Sequence, residues 1–188
     1  MNNNDQYGFF LFQKDSSSSS VLKDMLQYLR SHAPGKKLQF AYVEGETSLI
    51  PHLSLWENLH VVVGGSNWKE FTGHLEPDWQ PLINLISNPH IKASAATCWE
   101  RLTISLLKAT LINSQHILVD LDENLHSPLN LLNFKKILST VAAQQNVYIA
   151  TANTSLWLDS CHSIIKREGY VFKVDNLDQI RIKRHRSA

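Results

Sequence analysis

Short apolar runs alternate with longer stretches of helical periodicity along this chain. Residues 8–13, Gly-Phe-Phe-Leu-Phe-Gln, predict a buried strand. Val21, Leu22, Met25, Leu26 and Leu29 then recur on one helical face, and Ala33-Pro34-Gly35 ends that pattern. Residues 38–43 predict a second strand. Residues 56–112 read as mostly helical, with turns near Gly64-Gly65, Pro77 and Pro89. A compact apolar strand follows at 117–121, a helix at 129–143 and a further buried strand at 147–151. Late strands are expected at 164–165, 170–174 and 180–182, around a turn at Gly169. Strands alternating with helices imply an α/β fold with a mostly parallel sheet covered on both faces. The helical stretch, about 60–112, reads as a subdomain inserted into a single domain spanning 1–188.

Composition narrows the function classes. A chain of 188 residues, 43% apolar and 19% charged, buries a real core, and its net charge of +1 argues against a dominant polyanion-binding role. The basic residues Arg181, Lys183, Arg184 and Arg186 read as a solvated tail rather than a lipid or nucleic-acid site. No apolar run reaches the roughly 18 residues a membrane span needs, and the first residues lack the pattern of a secretory signal. The two cysteines, Cys98 and Cys161, have no metal or redox spacing, and the nine histidines show none either. These features fit a protein of a reducing cytoplasm. One segment stands out, the run Ser16 to Ser20 between the first strand and the first helix. Strand, tight loop and helix start is the layout of a phosphate-binding loop, yet the loop holds neither glycine nor lysine. It also reads as a flexible linker, or as a cap for the helix starting at Val21.

Four further segments carry a family resemblance. Residues 41–59, Ala-Tyr-Val-Glu-Gly-Glu-Thr-Ser-Leu-Ile-Pro-His-Leu-Ser-Leu-Trp-Glu-Asn-Leu, closely resemble the glutamine-loop region of ABC transporter ATPase subunits. Thr97-Cys-Trp-Glu-Arg, followed by Ile104-Ser-Leu-Leu-Lys-Ala, is similar to the signature motif and its helix. Residues 117–128 resemble the Walker B strand and the turn after it, and residues 147–154 the switch-histidine strand. The order and spacing match across nearly the whole chain. The resemblance implies a P-loop ABC ATPase-type fold with a shortened N-terminal β region, since only Met1 to Leu11 precede the loop. Tyr7, Phe9 and Phe10 are then expected in the core of the first strand rather than stacked on adenine.

The same resemblance implies losses at the nucleotide site. Ser18 stands where the family has its phosphate-binding lysine, Ser19 and Ser20 take the hydroxyl positions, and Phe12, Asp15 and Ser17 stand where glycines are expected. Side chains there crowd the backbone approach to phosphate. Gly45 takes the glutamine position and Ala152 that of the switch histidine. Asp120 is the Walker B aspartate, with Leu121 in place of the catalytic glutamate; a shift of two residues makes Asp122 and Glu123 the acidic pair instead. In the signature, Cys98 and Trp99 replace two glycines, leaving Thr97 and Glu100.

The expectation is a catalytically inactive ABC-ATPase-like subunit without ATP, magnesium or another metal. Its role would be structural or regulatory in a membrane-associated transport or secretion complex. It would be cytoplasmic and peripheral at the inner membrane, held there by protein partners, either a permease-type membrane subunit, an active ABC ATPase or both, with no nucleic acid. Pro51, His52, Leu53, Leu55, Trp56 and Leu59 are the partner-docking candidates, because the family receives a helix of its membrane subunit in this region. The alternatives are an ATP-binding subunit that retains nucleotide binding or hydrolysis, and a soluble adaptor unrelated to transport.

Overall fold

The structure is a computed structural model that describes residues 7–14, 20–32, 34–35, 37–45, 48–65, 67–121, 127–169 and 171–177. Its strands are β1 (Phe9–Gln13), β2 (Phe40–Glu44), β3 (His116–Asp120), β4 (Asn146–Thr151), β5 (Ser163–Glu168) and β6 (Val171–Asn176). Its helices are α1 (Val21–His32), α2 (Leu55–Val63), α3 (Trp68–Gly73), α4 (Gln80–Ile83), α5 (Cys98–Leu111) and α6 (Pro128–Val141), with short 3-10 turns at Pro77–Trp79, Ala93–Ala95 and Thr154–Leu156. The strands form one sheet in the order β2-β3-β4-β1-β5-β6, parallel except for the β5–β6 hairpin. The mostly parallel α/β sheet expected from the pattern is present. Boundaries differ by one to three residues: pairing in β3 begins at His116 and ends at Asp120, so Leu121 lies just past the strand. The strand expected at 180–182 lies outside the described residues.

Strand alternation builds two cores. Phe9, Leu11, Val43, Ile117, Val119, Val147 and Ile149 face α2, α5 and α6 in the larger one. Phe12, Leu118, Tyr148 and Ala150 face the other way and pack against Met25, Tyr28 and Leu29 of α1. Both faces being covered explains why these strands read as continuous apolar runs rather than alternating ones. Phe10 stacks on Tyr148 at 4.8 Å between centroids, whereas Tyr7, expected in the core, is exposed because pairing starts only at Phe9. Buried Asp24 of α1 pairs with Arg167 of β5, tying that helix to the hairpin.

Helix ends follow local chemistry. Ser54 and Thr97 each start a helix with a capping box, closed by Glu57 and Glu100. Ser127 caps α6, whose first residue is Pro128. Gly64 closes α2 at φ 66°, a conformation that favours glycine.

Candidate functional site

The strand order places the chain's switch point at β1. From it the path crosses to β2 at the far edge, while β4 and β5 flank β1 on its two sides. In open α/β sheets a ligand crevice lies at the carboxyl ends of such strands. Residues 15–19, including Ser18 and Ser19, lie outside the described residues, as do Asp122 and Glu123. Ser20 is described: its Oγ accepts the backbone N–H of Lys23 at 3.3 Å in the first turn of α1.

Register determines what stands at the carboxyl ends of these strands. Phe12 pairs with Ala150, and Ala150 with Asp120, so their side chains share the α1 face. Two residues past Phe12, Lys14 returns to the same face. Its Nζ lies 2.6 Å from Asp120 Oδ1 and donates to the Leu121 carbonyl at 2.7 Å. The Tyr42 hydroxyl of β2 donates to Asp120 Oδ2 at 3.0 Å. The Lys14 ammonium thus faces Oδ1 as an ion-pair partner without hydrogen-bond geometry, while the Tyr42 phenol hydrogen-bonds Oδ2. Burial and the carboxylates of Asp120 and Glu44 push the Tyr42 hydroxyl well above the usual tyrosine range, which keeps its proton available for this bond. The intervening strand supplies only methyl groups here, at Ala150 and, just past its end, exposed Ala152. Leu121 turns to the opposite face and is buried in the larger core.

Gly45, at the end of β2, sits against the start of α5. A Cβ on Gly45 would stand 2.3 Å from Cys98 Sγ, so this position accepts no side chain without a shift. The Gly45 carbonyl accepts from Arg101 Nε, which further ties the loop to α5. Thr97, Cys98, Trp99 and Glu100 form the cap and first turn of that helix. Glu100 is buried, and its Oε2 accepts from the Thr97 N–H at 2.8 Å and the Thr97 hydroxyl at 2.9 Å. A carboxylate of the chain thus already meets the positive end of the α5 dipole. Trp99 is half-buried edge-on against Phe134 of α6, 5.9 Å between centroids.

Among the docking candidates, Pro51 and His52 are exposed, Leu53 and Trp56 are half-buried, and Leu55 and Leu59 are fully buried. The two leucines pack the core. Trp56 heads an aromatic cluster with His60, Trp68 and Phe71. Sequence reasoning missed Lys14, Tyr42 and Arg101. Strand parity could have found the first: counting by two from Phe12 places Lys14 on the face of Asp120.

No described helix is long and apolar enough to cross a membrane, and no group of metal-ligating side chains occurs among the described residues. Among solved structures, an ATP-binding subunit of an ABC transporter is similar to this chain, at 16% identity and a TM-score of 0.67. The match covers 95% of this chain and 82% of that one. At that identity the likeness shows a shared fold. No protein-family model and no curated protein sequence matches the chain.

Proposed function

We propose that this chain is a non-catalytic ABC-ATPase-like subunit that serves a multi-protein assembly through its surfaces. The observation that carries the reading is the engagement of Asp120 by Lys14 and Tyr42. The fold implies a magnesium nucleotide, and the described residues do not fit one. A metal on Asp120 would have to displace a tethered ammonium, and a single carboxylate without phosphates holds magnesium poorly. Leu121 offers no general base, Ala152 no proton donor, and the glutamine position holds a glycine against Cys98 Sγ, which any side chain there would have to shift. At α5 the Glu100 carboxylate repels a phosphate that a partner subunit would present, so the chain is also poorly suited to complete a partner's site.

What remains for function is the surface. The reading takes the 49–56 segment and the helices beside it as the place where a second subunit of a membrane-associated complex docks, at the cytoplasmic side. The test is direct. Millimolar Mg-ATP should leave the unfolding temperature unchanged, and phosphate release should match that of the Asp120→Asn variant. Saturable stabilisation by Mg-ATP, or turnover abolished by Asp120→Asn, would overturn the reading.

A further inference from the structure

A small cleft of about 260 Å³ is lined by Leu49, Pro51, Ala93, Ser94 and Arg101. Its walls are joined by backbone hydrogen bonds, Ala93 N–H to the Leu53 carbonyl at 2.9 Å and Ser94 N–H to the Pro51 carbonyl at 3.0 Å, so it is preformed. Leu49 and Ala93 are buried and make an apolar base; Pro51 and Ser94 are exposed on its rim. The charge in it is Arg101. Its Nε donates to the Gly45 carbonyl, and Nη1 donates to the Ala96 carbonyl and, at 3.5 Å, to that of Ala93. A guanidinium carries five N–H donors, so the two on Nη2 have no acceptor among the described residues.

No described carboxylate neutralises Arg101. Glu100, its neighbour in sequence, is committed to the cap of α5, and the Glu57 carboxylate accepts from the Ser54 N–H at 2.7 Å. Lys92, next to Ala93, is exposed and adds positive charge to the same segment. Among the described residues only carbonyls hold this half-buried guanidinium, and its remaining donors form a fork suited to a carboxylate.

We infer that this cleft seats a glutamate or aspartate side chain presented by a partner protein, with the carboxylate on Arg101 Nη2. The inference rests on the reading above only in taking the occupant to be another subunit. A side chain suits the site better than a free dicarboxylate. One cation and an apolar base match one carboxylate with its methylene stem, whereas among the described residues no second cation lines the cleft, Lys92 lying outside it.

Blocked glutamate (N-acetyl, N-methylamide) tests it, with blocked glutamine and succinate as controls, read on the Arg101 side-chain N–H and Ser94 amide signals by NMR. Blocked glutamate should shift both signals saturably and bind about ten-fold more tightly than blocked glutamine, as expected for a charge-assisted pair. Ser94→Asp, which puts a carboxylate of the chain beside Arg101, should abolish the response, and Ser94→Ala should keep it. Equal response to glutamine, or no saturable shift with glutamate, overturns the inference, as does tighter binding of succinate. A response seen only in Glu46→Gln would also overturn it, by making the occupant the chain's own residue. Stabilisation by Mg-ATP would remove the non-catalytic reading and leave this seat intact. A silent Arg101 would do the reverse.

Discussion

Lys14 and Asp120 form an ion pair whose side chains are 19% and 15% exposed, and Lys14 also satisfies the Leu121 carbonyl. Removing the ammonium leaves a largely buried carboxylate oxygen without its counter-charge. Lys14→Met should therefore cost about 1–3 kcal/mol in urea unfolding. Adding Asp120→Asn should recover part of that loss, because the stranded charge goes with it. A single variant as stable as the parent would show that the pair contributes nothing. Gly45 offers a second test at this scale. Gly45→Ala drives its Cβ into Cys98 Sγ and should cost about 1–3 kcal/mol, the usual range for overpacking. In the Cys98→Ala background the same change should be nearly free, since the next atoms, Leu102 Cγ and Cys98 Cβ, lie at 3.7 and 3.8 Å. An equal cost in both backgrounds would place the constraint elsewhere.

The N-terminus of α5 concentrates the element-scale argument. Its capping box holds Thr97 and Glu100 to each other through three bonds, with Glu100 N–H donating back to the Thr97 hydroxyl at 3.2 Å. Thr97→Ala removes one acceptor and one donor and should destabilise the chain by about 1 kcal/mol, whereas Thr97→Ser should retain the cap. A thermal scan of the pair checks this, and loss in both variants would point to the methyl group rather than the hydroxyl. The capping pattern is legible in the letters Thr97-Cys-Trp-Glu100, because the bonds span three residues. The aromatic cluster at Trp56, Trp68 and Phe71 is not, because α3 reaches α2 only after a turn brings it back.

At the scale of the whole molecule, pH acts through buried groups. Burial lowers the pKa of His116 below the usual histidine value, and its Nδ1 has no hydrogen-bond partner among the described residues. The folded chain holds this ring neutral where the unfolded chain takes up a proton. Stability therefore rises with pH between the lowered folded value and 6.5, and falls on acidification through that window. His116→Gln should flatten the dependence of the urea midpoint on pH below about 6.5; an unchanged slope would assign it to other groups. Apolar runs and helical periodicity were enough to determine the elements, because those depend on contacts a few residues apart, and the alternation of strands with helices pointed to the α/β class and a mostly parallel sheet, because parallel neighbours need a crossover between them. The motif order likewise placed Asp120, Gly45 and Ala152 at strand ends. Tertiary structure alone decided what those positions touch. Lys14 meets Asp120 across an intervening strand, Tyr42 reaches it from a third, and Gly45 meets Cys98 from more than fifty residues away. Arg101 gathers carbonyls from two separate segments and leaves two donors without an acceptor among the described residues. Such pairings follow from strand order and register, which local patterns do not encode.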